Sequence, residues 1–203
     1  MNWLIQNPGT VVDMPRPREF DEDRALDAAM RAFWQAGYEA TSTQDLCVAT
    51  GLGRSSIYNT FHSKRTLFEQ SLRQYMSVRT DWLEEMLGRP GPVREKVREL
   101  LWNAVDPPEG DPLGCLVVNS LVELAPKDEE VAAALARDQA RRHEALRAAL
   151  TAARREGELP PTADPVALAH FVMATISGMQ VMARGGANQT ALTAIAETVL
   201  AAV

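Results

Sequence analysis

The most informative segment of this 203-residue chain is Ser42–Phe68, STQDLCVATGLGRSSIYNTFHSKRTLF. Ser42 with Asp45 three residues later is a capping-box pattern, which predicts the start of a helix. Gly51-Leu52-Gly53 predicts its end, because glycine enters the left-handed conformations of a tight turn at little cost. A second short helix is predicted from about Arg54 to Phe61, with apolar residues four apart on its inner side. Two short helices around a glycine turn are typical of a helix-turn-helix.

The outer face of the second helix is polar and carries few bulky side chains. Arginine can fork onto guanine, asparagine can pair with adenine, and hydroxyl groups suit phosphate oxygens. Lys64 lies at the start of the next predicted helix, where the helix N-terminus favours an anion. A solvated helical hairpin with an ordinary polar face explains the same residues, so both interpretations stay open on this pattern alone. The candidate DNA-contacting residues on this helix are Arg54, Ser55, Ser56, Tyr58, Asn59 and Thr60.

The motif TGLGRSSIYNTFHSKRTLF, preceded by a predicted amphipathic helix that ends FWQAGYEATS, resembles the DNA-binding domain of the tetracycline-repressor (TetR) family. The resemblance covers about residues 20–72, and its most specific part is the spacing of Tyr58, Phe61 and Lys64. It favours DNA binding over the solvated hairpin. It also implies an all-α regulator with a helix-turn-helix head and a helical body.

The resemblance implies roles for individual positions in the head. Arg54 and Ser55 fall on base-contacting positions, and Thr43, Tyr58 and Lys64 fall on phosphate-contacting positions. The chain departs from the family at the two positions after Tyr58, where members often carry larger aromatic or histidine side chains. The contribution of Asn59 and Thr60 therefore stays open.

The distribution of charge agrees with a DNA-binding head. The whole chain has a formal net charge of −6, which taken alone argues against nucleic acid. Between Leu46 and Arg79, however, five basic residues accompany one acidic residue, so this segment carries +4 and the remainder −10. A basic module on an acidic body fits a regulator whose body is held away from the phosphates.

No catalytic or metal-binding constellation is present in the sequence. The three histidines do not form a ligand pair, and there is no CxxC, glycine-rich phosphate loop or G-x-S-x-G motif. The sequence therefore predicts a regulator that is not an enzyme and holds no cofactor. A ligand-binding or enzymatic helical body with a vestigial DNA-binding head is the less favoured alternative. The apolar run from Pro165 to Ala183 is interrupted by polar residues and is interpreted as a buried helix, not a membrane span. With no signal peptide visible, we expect a cytoplasmic protein.

The chain divides into three predicted parts. Residues 1–19 are proline-rich without periodicity and are interpreted as a flexible arm, whose arginines could reach a minor groove, or in part as a start-site artefact. Residues 20–65 form the predicted DNA-binding domain. Residues 66–203 form a predicted ligand-binding and dimerisation body, entered through a long fourth helix from Lys64 to about Leu87. We predict about nine helices and no strand.

The last two predicted helices are rich in small and aliphatic residues, which lets helices approach closely. Doubling such a pair about a two-fold axis gives a four-helix bundle, so we predict a homodimer through these helices. The resemblance implies the same interface. A dimer would place two recognition helices on the half-sites of a palindromic operator in double-stranded DNA. The alternative is that these faces pack inside one monomer.

The resemblance also implies a small-molecule effector that releases a repressor from its operator. Methionine and aromatic side chains with a few polar anchors suit such a pocket, although each is also a normal core residue. The predicted lining residues are Trp82, Met86, Trp102, Asn119, Glu123, His143, Phe171, Met179 and Met182. Cys115 offers an alternative trigger by oxidants or electrophiles, because it lies near a predicted helix N-terminus, although a buried structural thiol is the favoured interpretation.

Overall fold

A computed structural model describes residues 18–203, and within that range the chain forms nine α-helices and no strand. The predicted all-α fold is therefore confirmed, whereas most of the predicted N-terminal arm lies outside the described residues. The helices are α1 (Arg18–Ala36), α2 (Thr43–Thr50), α3 (Arg54–Phe61), α4 (Lys64–Gly88), α5 (Val93–Val105), α6 (Leu116–Glu123), α7 (Glu129–Glu156), α8 (Pro165–Arg184) and α9 (Gln189–Leu200).

The helix-turn-helix forms where the sequence predicts it. Ser42 caps α2 in a complete capping box: its hydroxyl accepts the Asp45 N–H, and the Asp45 carboxylate accepts the Ser42 N–H. Gly51 ends α2 with φ +69°, a left-handed conformation that favours glycine. Leu46 and Ile57 on the facing helices are fully buried, so the two short helices are fixed by their shared apolar contact.

The core of the head continues into the body. Phe33 of α1 packs edge-to-face on Phe68 of α4, with ring centroids 5.2 Å apart. The same apolar cluster includes Leu116 at the start of α6 and Leu135 of α7. The start of α6 and the first half of α7 are therefore packed into the same apolar core as the head.

A second core fills the rest of the body. It joins the last turns of α4 with α5, the C-terminal half of α7, α8 and α9. Leu83, Met86 and Met179 are at most 1% exposed within it. The α4 helix contributes residues to both cores and so connects the head to the body.

The α8 helix is apolar on two sides, and only one side is buried. Among the described helices it alone is long and apolar enough to cross a bilayer, with mean hydropathy 1.6, and 33% of that apolar window is buried. The prediction of a buried helix therefore holds for one face only. Its other face carries Phe171, Val181 and Met182 at 41–54% exposure.

Candidate nucleic-acid interface

The candidate surface is centred on α3. Ile57 and Phe61 face the core, and successive residues are rotated by about 100° around a helix, so Ser55 and Asn59 point most directly outward. Arg54 and Tyr58 flank one side of that line. Gly53 is the N-cap of this helix, and it has no side chain that could fold back over the first turn. The backbone N–H groups there stay available to a phosphate or a base.

The other side of α3 faces the start of α1. Ser56, Asn59 and Thr60 line a groove of about 450 Å³ there, which Glu22 also lines. Because a carboxylate repels phosphate, this side is electrostatically less suited to the DNA backbone than the Arg54 side. The six predicted residues therefore do not form one uniform surface. Arg54 and Tyr58 lie on one side of α3, and Ser56 and Thr60 lie on the side that faces Glu22.

Tyr58 ties the recognition helix to the first turn of α2. Its hydroxyl lies 3.4 Å from the Thr43 hydroxyl, and its ring lies 5.8 Å from the Arg54 guanidinium carbon. The contact with Thr43, and then that with Arg54, lowers the pKa of Tyr58 below its ordinary value. Tyr58 thus contacts both Thr43 and Arg54. These three predicted contact residues together present one guanidinium and two hydroxyl groups.

Lys64, the first residue of α4, lies against an aromatic ring that the sequence analysis did not single out. Its ammonium lies 4.4 Å from the centroid of Tyr38, a cation–π contact. Between α3 and Lys64 the chain turns at His62, which has φ +66°, and the Ser63 N–H donates to the Phe61 carbonyl at 2.7 Å. This γ-turn is a strained conformation for a non-glycine residue, and it sets the direction in which α4 begins.

The C-terminal end of α1 is clamped by the body. The Glu123 carboxylate accepts the N–H groups of Tyr38 at 3.0 Å and Glu39 at 2.7 Å. Asn119 donates to the Trp34 carbonyl at 3.1 Å, and Arg184 donates to the same carbonyl at 2.9 Å. Residues of α6 and α8 therefore bind the backbone of a head helix, and we define these three side chains, Asn119, Glu123 and Arg184, as the α1 clamp.

Ion pairs add two further links between head and body. Arg31 of α1 pairs with Asp111 in the loop before α6 at 3.1 Å, and Arg79 of α4 pairs with the same carboxylate at 3.0 Å. Arg65 forms a close ion pair with Asp128, the N-cap of α7. The hydrogen bond from Arg65 lowers the pKa of Asp128 to about 2.

The residues predicted to line an effector pocket are not gathered in one cavity. Met86 and Met179 lie in the closed body core, whereas Phe171 and Met182 are exposed on α8. Trp102 packs half-buried against the core under Arg98. Asn119 and Glu123 belong to the α1 clamp. His143 lies against His170 with ring centroids 4.7 Å apart, and Trp82 lines a groove near α1.

Cys115 is the N-cap of α6, so it lies at a helix N-terminus, where the sequence analysis expects it. It is 4% exposed, and its sulfur accepts a hydrogen bond from the Tyr75 hydroxyl at 3.5 Å. Burial raises the pKa of Tyr75 far above its ordinary value, so this hydroxyl stays protonated. The thiol is thus enclosed next to a neutral partner.

Comparison with known proteins decides the family. Residues 25–70 match the family described as "Bacterial regulatory proteins, tetR family", and residues 104–199 match "Tetracyclin repressor-like, C-terminal domain". The HTH-type transcriptional repressor ComR of Escherichia coli (strain K12) is 35% identical over 188 residues, which are 91% of this chain and 90% of ComR. This chain belongs to the TetR family.

A solved structure of a TetR regulator has the same fold and is a complex with operator DNA. CifR, in a variant with substituted cysteines complexed with 26-base-pair double-strand operator DNA, has a TM-score of 0.80 and 31% identity, covering 92% of this chain and 98% of that one. The protein is a DNA-binding transcriptional regulator of the TetR type, and the relatives above are transcriptional regulators. The expected helix-turn-helix head and helical body of this TetR protein are confirmed.

The contacts that sequence reasoning missed are those between head and body. In the α1 clamp, Asn119 and Trp34 are 85 residues apart in the sequence, and Arg184 and Trp34 are 150 residues apart. No local pattern indicates such pairs. Tyr38 could have been found, because an aromatic residue just after α1 is part of the motif that carries the family resemblance.

Proposed function

We propose that this regulator is a homodimeric repressor that binds a palindromic operator and is released by a small-molecule effector. The observation that supports it most is the combination of an outward polar face on α3 with an unpartnered apolar face on α8. The α3 face suits base edges and phosphates, and the α8 face suits another copy of the chain. Such a protein would act on DNA in the cytoplasm.

The proposed operator contacts follow from the geometry of the head. Arg54 and Ser55 would read base edges, because they lie on the exposed side of α3 next to its free N-terminus. Thr43, Tyr58 and Lys64 would bind phosphates on the Arg54 side. Ser56 and Thr60 face the groove that Glu22 lines, so we expect them to contribute less. Asn59 points outward at the edge of this groove, and we expect its contribution to lie between those of Arg54 and Thr60.

The proposed dimer interface is the exposed stripe of α8. Residues 167, 171, 174, 178 and 181 recur every three or four positions, so they lie on one face, and all five are exposed. This face combines small residues with Phe171 and Val181, which suits close packing of two helices. Ala169 and most apolar residues of α9 are instead buried within the monomer. Packing inside one monomer, the alternative, thus accounts for most apolar residues of α9, and the α8 stripe remains for a partner.

Sedimentation of the purified protein tests the dimer. Val181→Glu places a charge in the stripe, and we expect it to convert a dimer into a monomer. Val166→Glu makes the same change on the same helix at a similarly exposed valine outside the stripe, and should leave the dimer intact. A wild-type monomer, or equal behaviour of the two variants, would contradict this interface.

Release by an effector would be a population shift between a conformation that fits the operator and one that does not. The α1 clamp and the shared head core support this mechanism, because a shift of α6 or α8 changes the support of the head. Titration of an operator-bound sample with candidate molecules, followed by fluorescence anisotropy of labelled DNA, tests it. Operator affinity that no small molecule changes would contradict effector control.

A thiol trigger at Cys115 is the second candidate. The thiol lies beside Tyr75 at the start of α6, the helix that carries part of the α1 clamp, so modification there would disturb the head. Its 4% exposure argues against direct attack by an oxidant. We therefore propose a non-covalent effector as the primary trigger.

A further inference from the structure

A groove between α6, α7 and α8 combines aliphatic side chains with positively charged and neutral polar ones. Its volume is about 250 Å³, which suits a small molecule. The aliphatic lining comes from α6 and α8 and includes Val117, Leu121 and Ile176. None of the lining residues is acidic. The polar ones are Gln139, Arg142, His143, His170, Ser177 and Gln180.

Arg142 provides the permanent positive charge of this groove. It is half-buried on α7, and among residues 18–203 no carboxylate lies within ion-pair distance of its guanidinium. Asp138, one helical turn earlier, accepts a hydrogen bond from the Thr80 hydroxyl of α4 at 2.8 Å, and burial raises the pKa of Asp138. Arginine and carboxylate groups form strong, charge-assisted hydrogen bonds. A ligand carboxylate would therefore give Arg142 the partner that the chain does not supply.

The other charged side chains on this part of α7 are paired outside the groove. Arg141 binds Glu84 of α4 at 2.6 Å. Glu144 binds Arg147 on α7 itself at 2.5 Å. None of these four residues lines the groove. The positive charge of Arg142 is therefore the one that an anion in the groove would meet.

Two histidines add a charge that depends on pH. His143 of α7 and His170 of α8 line the groove together, with ring centroids 4.7 Å apart. The His143 Nδ1 lies 2.9 Å from the Gln139 carbonyl oxygen, which can only accept, so Nδ1 carries a proton and Nε2 gains one when the ring becomes charged. Arg142 is the only other ionisable lining residue. The groove therefore becomes more positive as the pH falls through the range in which histidine ordinarily titrates, about 6.5.

We propose that this groove binds a small organic carboxylate with an apolar body. The carboxylate accepts hydrogen bonds from Arg142, and the apolar body packs against Val117, Leu121 and Ile176. A neutral ligand would leave the guanidinium without a partner, and a cation would be repelled by it. This inference rests on the proposed function, because it assigns a chemical class and a site to the effector.

The location connects the groove to the α1 clamp and to the proposed dimer interface. Helix α6 carries Asn119 and Glu123 of the clamp, and α8 carries Arg184, one turn after the lining residue Gln180. Ala174 lines the groove and also belongs to the exposed stripe of α8. A ligand in the groove would therefore lie between helices that hold the end of α1, next to the proposed partner. We expect its binding to change operator affinity.

The test measures binding of 3-phenylpropanoate to the full chain by isothermal titration calorimetry. The control molecules have the same carbon skeleton: 3-phenylpropanamide is neutral, and 3-phenylpropylamine is a cation at neutral pH. Arg142→Met removes the guanidinium but keeps an unbranched apolar side chain. Arg137→Met is the matched control, because Arg137 is an exposed arginine on the same helix that does not line this groove.

We expect 3-phenylpropanoate to bind more tightly than either control molecule. Arg142→Met should weaken its binding by about tenfold or more, the effect of a charge-assisted hydrogen bond, and Arg137→Met should leave it unchanged. No binding at millimolar concentration, equal binding of the acid and the amide, or equal loss in the two arginine variants would overturn the assignment.

The pH dependence of binding keeps the test valid if Arg142→Met fails to fold. Lowering the pH from about 8 to about 6 should tighten binding of 3-phenylpropanoate to the wild type, because the histidines gain positive charge. The double variant His143→Gln/His170→Gln should lose this dependence. Tightening that persists in the double variant would place the anion outside this groove.

Operator affinity separates this proposal from the proposed function. Loss of operator affinity with 3-phenylpropanoate in the wild type, but not in Arg142→Met, supports both. Binding that leaves operator affinity unchanged supports the groove and contradicts effector control through it. Release of the operator by another molecule that acts equally on Arg142→Met overturns the groove as the effector site and leaves effector control standing.

Discussion

The carboxylate of Glu123 is the point at which the body most directly supports the head, so its removal has a calculable effect. It accepts two backbone N–H groups, from Tyr38 at 3.0 Å and from Glu39 at 2.7 Å. Gly37, just before them, has φ +91°, and a Cβ there would lie 2.9 Å from a Glu123 oxygen. The turn after α1 is therefore shaped around this one side chain.

Glu123→Ala should lower the free energy of unfolding by about 2–3 kcal/mol. A hydrogen bond to a charged group contributes about 1.5–3 kcal/mol net, and we take less than the sum of two because water can reach the N–H of the exposed Glu39. Glu123→Gln keeps one acceptor oxygen but presents an N–H₂ group to the second N–H. Glu123→Gln should therefore lower the free energy of unfolding by about half as much as Glu123→Ala.

Urea unfolding followed by circular dichroism measures this difference at one fixed protein concentration, since stability of a dimer depends on concentration. Val122→Ala is the matched control, because Val122 is the neighbouring residue on α6 and is 76% exposed. We expect Val122→Ala to change the free energy of unfolding by less than about 0.5 kcal/mol. Equal midpoints for Glu123→Ala and Val122→Ala would show that the α1 clamp does not hold the head.

Three further predictions follow from particular contacts. Lys64→Ala should weaken binding to all DNA sequences in a band-shift titration, whereas Arg54→Ala should also relax sequence preference; equal loss on all sequences would make Arg54 a phosphate contact. Asp128→Asn keeps the N-cap of α7 but removes the charge opposite Arg65. Since Asp128 has a folded pKa of about 2, below the ordinary value of about 4, its contribution is present above about pH 4 and lost as pH falls towards 2. The free energies of unfolding of wild type and Asp128→Asn should therefore differ above about pH 4 and converge as the pH falls towards 2. A difference that stays constant with pH would contradict this. Cys115→Ser should leave effector-induced release of the operator unchanged, and loss of the response would favour the thiol trigger.

The head could be predicted well from the sequence, because the signals that define its helices involve residues close together in the chain. The capping box at Ser42, the glycine turn and the spacing of Ile57 and Phe61 each act within a few residues, and the structure places α2 and α3 accordingly. The outward face of α3 follows from the same periodicity.

The body was predicted less completely because its decisive contacts are distant in sequence. Asn119 and Glu123 were expected in a pocket, yet both bind the backbone at the end of α1, about 85 residues away. Composition could not separate the two faces of α8, since both are apolar and only packing shows which one is covered. The groove between α6, α7 and α8 combines three separate segments, so no single stretch predicts it.

Selection of genomic fragments by the purified protein, at a fixed salt concentration and followed by sequencing, is the direct test of sequence-specific binding by a dimer. We expect enrichment of a palindromic sequence whose two halves fit two copies of α3, and loss of that enrichment in Arg54→Ala. Salt-sensitive retention of DNA without any enriched sequence would contradict a sequence-specific dimeric regulator.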